Sequence, residues 1–345
     1  MKRYPLLTIL NSLLLFFPVV AGAAPFTGLY VFGDSLSDTG NVFAITSAAH
    51  AQNPGVPIIP PSPPYFQGRL SNGPVAVEYL AANLGLSAAA ATTGGTNFAQ
   101  AGATTGLGNT GDGGTTSSVG ALGLQGVLGQ VEAYLSKLNG KSADPSALYV
   151  VWGGPNDFFD GFGNPAFDPN AAIATAIGNL LTSIVSLESA GARHLLLPNL
   201  PDLGRTPRAL EAGAAVAAGA TLLSQAFDSA LAGQLATLQG VPGAEVVPFD
   251  VLGTFSNVFA NPAQFGFSNA SDSCLTPNGV CADPAGHVFW DDVHPTTGGH
   301  RLIGEGFASA VGFVAAVPEP HILALFLIGV AALFAGRLRM AAMPR

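Results

Sequence analysis

Five short strand candidates, four of them apolar runs and most of them separated by helical patterns, constrain this chain more than any other feature. They are Leu29–Gly33 (LYVFG), 95–99 (GTNFA), 147–154 (ALYVVWGG), 194–201 (HLLLPNLP) and 244–250 (AEVVPFD). Strands that are apolar throughout are covered on both faces, which is the condition of a parallel sheet between two helical layers. The intervening segments carry the helical signals. In GPVAVEYLAANLG, Pro74 sits at a helix start and Gly85 at its end. Val127, Leu128, Val131, Leu135 and Leu138 mark one helix face, and Ile173, Ile177, Leu180, Leu181, Ile184 and Leu187 mark another. An Ala-rich stretch over 207–238 and a closing helix over 297–312 complete the pattern. The reading is one α/β domain, a three-layer α/β/α sandwich with a five-stranded parallel sheet. Ligands in such sheets bind beyond the carboxyl ends of the strands, so polar residues just after the apolar runs matter most.

Composition fits one large core and excludes one class of partner. Of 345 residues, 48% are hydrophobic and only 10% charged, with a formal net charge of −9. No Lys/Arg stripe is present to neutralise phosphates, so nucleic acid is not an expected ligand. The 44 glycines and 26 prolines, amid plentiful aliphatic residues, indicate long ordered loops.

Both ends read as addresses. Lys2 and Arg3 precede an apolar run from Leu6 to Val20 and then AGAA, the order of a secretory signal peptide. Cleavage is expected after Ala23, giving 1–23 as leader and 24–316 as the folded body. At the other end, residues 317–345 hold Val317, Pro318, Glu319 and Pro320, an apolar run from Ile322 to Ala335, and then Arg337 and Arg339. That run is shorter than the ~20 residues of a comfortable spanning helix, and the arginines would hold its far end in the cytoplasm. The three-part order resembles the PEP-CTERM sorting signal of Gram-negative bacteria. The resemblance implies transient membrane association through this segment, with signal peptidase and an exosortase as processing partners. It also implies export to the periplasm, the cell surface or the extracellular matrix; a plain C-terminal anchor is the alternative. Cys274 and Cys281, in CLTPNGVC, are then expected to form a local structural disulfide in an oxidising compartment.

The chemistry-bearing residues fall after the apolar runs. Ser35 directly follows the first, in GDSLSD. A serine hydroxyl is a weak nucleophile and needs a positioned base. Among six histidines, His294 stands out because Asp291 lies three residues before it in FWDDVHP. Within one turn such a carboxylate can fix the imidazole tautomer and leave the other ring nitrogen free for a serine. Taken alone, this spacing also suits a solvated turn capping the closing helix. Acyl transfer further needs donors for an oxyanion. Asn156 in WGGPND and Gly102 in NFAQAGAT stand beyond strand ends and can supply them, although each also suits an ordinary turn.

In their order along one α/β chain, GDSLSD, Gly102, GGPND and DDVHP resemble the four blocks of the SGNH hydrolases, also called GDSL lipases/esterases. The resemblance runs from Tyr30 to about Gly312, and RLSNGPVAVEYLA matches its lipase-like branch. It implies a flavodoxin-like sheet of order near 2-1-3-4-5 and a Ser35–Asp291–His294 triad. It also implies an oxyanion hole from the N–H groups of Ser35 and Gly102 and the side chain of Asn156. Asp292 ranks second to Asp291 for the acid. No cofactor and no metal is implied. Asp34 and Asp38 read as braces of the turn after the first strand.

The expected activity is hydrolysis of carboxylic esters, of lipid or acylated carbohydrate, through an acyl-enzyme on Ser35. An O-acetylesterase or acyltransferase acting on exported polysaccharide is the alternative, and a non-catalytic surface-binding module is a remote third. The Pro-rich PIIPPSPPYFQG reads as a stiff loop over the site. Phe158, Phe159, Phe162 and Phe167 read equally as an acyl pocket or as core.

Overall fold

A computed structural model describes residues 26–161, 164, 166–238 and 243–312. The expected leader, the sorting tail and Phe162 lie outside the described residues. Four parallel strands form the main sheet in the order β1 (Leu29–Gly33), β2 (Leu148–Trp152), β3 (His194–Pro198) and β4 (Glu245–Phe249). Their register pairs Gly33 with Trp152 and Pro198 with Phe249, so the strand ends lie along one rim.

Each strand buries alternate residues in opposite layers. Phe32, Tyr149, Val151, Leu195 and Leu197 pack against α3 (Val127–Leu138), α4 (Pro169–Ala190) and α6 (Ala214–Leu238). Leu29, Val31, Leu148, Val150, Trp152 and Leu196 pack against α2 (Ala76–Leu84), α7 (Val251–Ala260) and α8 (Thr297–Ala310). The three-layer sandwich follows directly from that period of two.

The sheet departs from the expected five strands. The 95–99 run is not a regular strand, and it pairs with β1 by an isolated bridge between Val31 and Asn97. Its backbone still runs along β1, with Val31 N–H donating to Thr96 C=O, Phe98 N–H to Val31 C=O and Gln100 N–H to Gly33 C=O. The position beside β1 is therefore occupied, in the 2-1-3-4-5 order. It is irregular because the Asn97 side chain accepts from Ala99 N–H at 2.9 Å and curls the segment.

Helix ends follow local chemistry. Glu78 reaches back to Val75 N–H at 2.9 Å at the start of α2, and Gly85 at φ 67° ends it. Asp168 caps α4 ahead of Pro169. The Ala-rich stretch expected as one helix is two, α5 (Pro207–Glu211) and α6. They meet at Gly213, whose φ of 106° is incompatible with a continuing helix. The buried face of α3 includes Gln130 beside Val127, Val131 and Tyr134, while Leu128, Leu135 and Leu138 are only partly buried.

After α7 the chain builds a small ribbon in front of α8. Strand β5 (Asn269–Ser273) pairs in parallel with β8 (His287–Phe289). The hairpin of β6 (Leu275–Thr276) and β7 (Gly279–Val280) lies between them in sequence and is closed by a Cys274–Cys281 disulfide. The remaining helix, α1 (Asn41–Gln52), follows the turn after β1.

Candidate active site

The turn that ends β1 is built by its own acidic residues. Asp34 C=O accepts from Ser37 N–H and Asp38 N–H, and its carboxylate accepts from Leu36 N–H at 3.0 Å. Asp38 caps α1, accepting from Gly40, Asn41 and Val42 N–H groups, and also takes Ala101 N–H at 2.9 Å. One carboxylate thus fastens the Ser35 turn to the segment that carries Gly102. Asp34 and Asp38 are fully buried, and burial pushes both upward, Asp34 to about 6.

A second, tighter turn presents the histidine. Trp290 N–H donates to His294 C=O at 2.7 Å and Thr296 N–H to Val288 C=O at 2.8 Å, pinching residues 290–296 into a loop. Cys274 N–H donates to Phe289 C=O, so the disulfide-closed hairpin braces this loop from below. Inside it, Asp291 accepts from His294 N–H at 2.7 Å and Val293 N–H at 3.0 Å, and the ring Nδ1 of His294 lies 2.8 Å from its Oδ2.

The two turns meet. Ser35 Oγ and His294 Nε2 are 2.9 Å apart across 259 positions of sequence. Burial alone would raise Asp291, but the His294 charge, its hydrogen bond and the two N–H donors hold it down at about 2. With that carboxylate ionised, Nδ1 carries the proton and Nε2 is the acceptor for Ser35 O–H. Burial likewise pulls His294 down, and the carboxylate of Asp291, backed by Asp292 and Asp34, outweighs it and raises it. Asp292 turns away from the imidazole and pairs with Arg208 Nε at 2.7 Å.

Ser35, Gly102, Asn156 and His294 line one cleft of about 260 Å³, together with Thr110, Gly111 and Arg208. Gly102 holds φ 83°, and a Cβ there would fall 2.5 Å from Asn109 Oδ1, so both conformation and space demand glycine. No acceptor among the described residues engages the N–H of Ser35 or of Gly102. Asn156 Nδ2 donates to Ala103 C=O at 3.0 Å, which fixes the amide beside them. Next to it, Asp157 accepts from Thr105 N–H and Oγ1; burial drives its carboxyl up to about 7.

The phenylalanines after GGPND divide. Phe158 is core, packed edge-on against Phe227, whereas Phe159 lines the cleft and Phe167 packs at the edge of the core. His194 opens β3 near Glu245, and His50 bonds Val56 C=O.

Two further residues that hold the site carry no local motif. Gln130 forms a two-way amide clasp with Gly33, accepting its N–H at 2.8 Å and donating to its C=O at 2.9 Å. This fixes the backbone two residues before Ser35. Tyr65, from the Pro-rich loop, donates to Asp291 Oδ2 at 2.7 Å and meets the Trp290 ring edge-on. Its segment also grips the loop through Ser71 on Pro295 C=O and Asn72 on Thr297 N–H.

The comparisons agree with this architecture. The family described as GDSL-like lipase/acylhydrolase matches residues 29–307. An uncharacterised protein of the trpE-trpG intergenic region of Pseudomonas putida is 32% identical over 324 residues, covering 88% of this chain and 52% of its own length. Esterase EstA of Pseudomonas aeruginosa is 32% identical over 312 residues, covering 83% of this chain and 47% of its own length. The chain spans about half the length of these two relatives. Phosphatidylcholine-sterol acyltransferase of Aeromonas hydrophila is 26% identical over 336 residues, covering 83% of this chain and 90% of its own length. By the span of that family match, this chain belongs to the GDSL-like lipases and acylhydrolases.

Proposed function

We propose that this chain is a serine esterase that hydrolyses carboxylic esters through an acyl-enzyme on Ser35. The observation that carries the reading is the continuous chain of hydrogen bonds from Ser35 Oγ through His294 to Asp291. Ser35 Oγ attacks the ester carbonyl carbon while His294 Nε2 takes its proton. The carbonyl oxygen becomes an oxyanion, received by the N–H groups of Ser35 and Gly102 and by the Asn156 amide. The C–O bond to the alcohol then breaks and His294 returns the proton to the departing alkoxide. A water molecule, deprotonated by the same nitrogen, attacks the acyl carbon and regenerates Ser35 with release of the acid. Asp291 stabilises the imidazolium in both halves.

The relative named as an acyltransferase supports a second reading, in which an alcohol replaces water in the last step. Export through the leader and the sorting tail is part of the proposal, and the disulfide is in keeping with an oxidising compartment. Ser35→Ala tests the central claim. The variant is expected to lose at least ~10³-fold in hydrolysis of p-nitrophenyl butyrate; unchanged hydrolysis would sink the assignment.

A further inference from the structure

Two cavities meet at Ser35 and His294, and they differ in kind. The cleft with Gly102 and Asn156 is open and partly polar, with Thr110 and the Arg208 side chain on its wall. The other is a narrower, more enclosed slot of about 40 Å³ that leads from Ser35 and His294 to α7. Its apolar walls include Leu203, Val251, Phe255, Phe259, Phe289 and Ile303. Of these, only Phe259 is more than marginally exposed. The ring of Phe259 stacks on Phe289 and is covered on its outer side by the exposed Arg205 guanidinium, 4.9 Å from its centroid. Phe259 is therefore the half-exposed wall at the α7 end of the slot.

We propose that this slot binds the acyl chain of the substrate and selects straight chains of about four or five carbons over acetyl. The inference rests on the esterase reading and names the substrate class of that same site. Three observations assign the acyl part to the slot and the alcohol part to the open cleft. The slot walls are mainly apolar, with Asp34, Asp202 and Thr206 the polar exceptions beside Ser35 and His294, so most positions along it would leave a sugar or glycerol hydroxyl without a hydrogen-bond partner. The alcohol must also leave before water attacks, which the wider, more open cleft permits more readily than the narrow slot. The polar partners for an alcohol, Thr110 and Arg208, stand on the open side.

Length follows from volume. A water-sized group needs ~10–15 Å³ of such space, so the slot takes about three or four methylene-sized groups beyond the carbonyl carbon. Each buried methylene is worth about fourfold in specificity, giving butyrate about 15-fold over acetate in kcat/KM.

The test uses the full-length protein with p-nitrophenyl acetate, butyrate, hexanoate and octanoate, alongside Phe259→Ala and Ser35→Ala. Ratios between esters are read within each preparation, so any loss of folded enzyme cancels. Wild type is expected to favour butyrate over acetate about 15-fold. Phe259→Ala, which opens the far end, is expected to move the preferred chain to hexanoate or longer. A wild-type preference for acetate, or a Phe259→Ala profile that superimposes on wild type, overturns the slot assignment. If Ser35→Ala is inactive in that case, the esterase reading stands without the slot. If Ser35→Ala keeps full activity, both fall.

Discussion

Replacing Tyr65 by Phe removes one hydroxyl and isolates its effect on Asp291. That carboxylate accepts from four donors: Tyr65 O–H, the His294 ring, and the N–H groups of Val293 and His294. A hydrogen bond to a charged group contributes ~1.5–3 kcal/mol, and three donors remain, so the variant is expected to fold and to stay active. Its direct consequence falls on His294. Tyr65 draws charge from Oδ2, the oxygen that lies 2.8 Å from the imidazole Nδ1. Without it the carboxylate holds the imidazolium more tightly, so the acid limb of kcat/KM should move to higher pH. The other groups around the ring do not change. Asp34 is buried, Asp292 is paired with Arg208, and buried His300 is neutral with its pKa lowered to about 3. At the plateau the loss should be no more than ~10-fold, equivalent to about 1.4 kcal/mol.

Stability gives an independent readout with a definite sign. Asp291 titrates at about 2 in the folded protein, below its ordinary 3.8. Its contribution is therefore complete above pH ~4 and disappears as pH falls towards the folded value. Loss of the Tyr65 donor raises that folded value. The variant should accordingly be ~1.5–3 kcal/mol less stable to urea near neutrality, and the gap should narrow in acid. An acid limb that stays in place or moves down, together with a stability gap independent of pH, would refute this account of Tyr65.

Asn156→Ala should lower kcat by ~10²–10³-fold, the loss typical of one oxyanion donor, and cost ~1–3 kcal/mol in urea unfolding because Ala103 C=O loses its donor. A loss confined to KM would argue against a transition-state role. Gln130→Met keeps the shape but strands the buried N–H of Gly33 and leaves its C=O with Gln100 N–H alone. It is expected to cost ~1–3 kcal/mol in urea unfolding, and a cost below ~0.5 kcal/mol would mean that the clasp does not hold the end of β1.

The layers were legible in the sequence because a parallel strand buried on both faces has no polar phase to hide it. Leu29–Gly33 and Leu148–Trp152 are apolar along their length and lie paired in the sheet. The 95–99 segment is only a short strand candidate in sequence, and Asn97 spends its side chain on its own neighbour and on Ser37 C=O, so the segment curls after one bridge. The Ala-rich 207–238 stretch concealed a break, because one glycine among many alanines and glycines carries little signal until its φ is known. The residues at the strand ends were legible for a different reason. Ser35, Gly102, Asn156, Asp291 and His294 each sit in a short block whose spacing has its own local meaning, and the fold brings those blocks together.

Gln130 lies in no such block, Tyr65 only in the Pro-rich segment that reads as a loop over the site, and their partners lie 97 and 226 positions away. Yet Gln130 was not without a signal. The fully buried face of α3 runs Val127, Gln130, Val131, Tyr134, the i, i+3, i+4, i+7 phase of a helix. Reading that face as Val127, Leu128, Val131, Leu135 and Leu138 kept to aliphatic residues and rotated it away from the amide. A glutamine in the buried phase of a helix that packs on a sheet must find a donor and an acceptor there. In a parallel sheet whose interior strand groups are already paired, the free backbone groups are at the strand ends. Those ends are also where a nucleophile has to stand. A polar side chain in the wrong phase of a packing helix therefore points to the strand end it completes, and here that end is Gly33, two residues from Ser35.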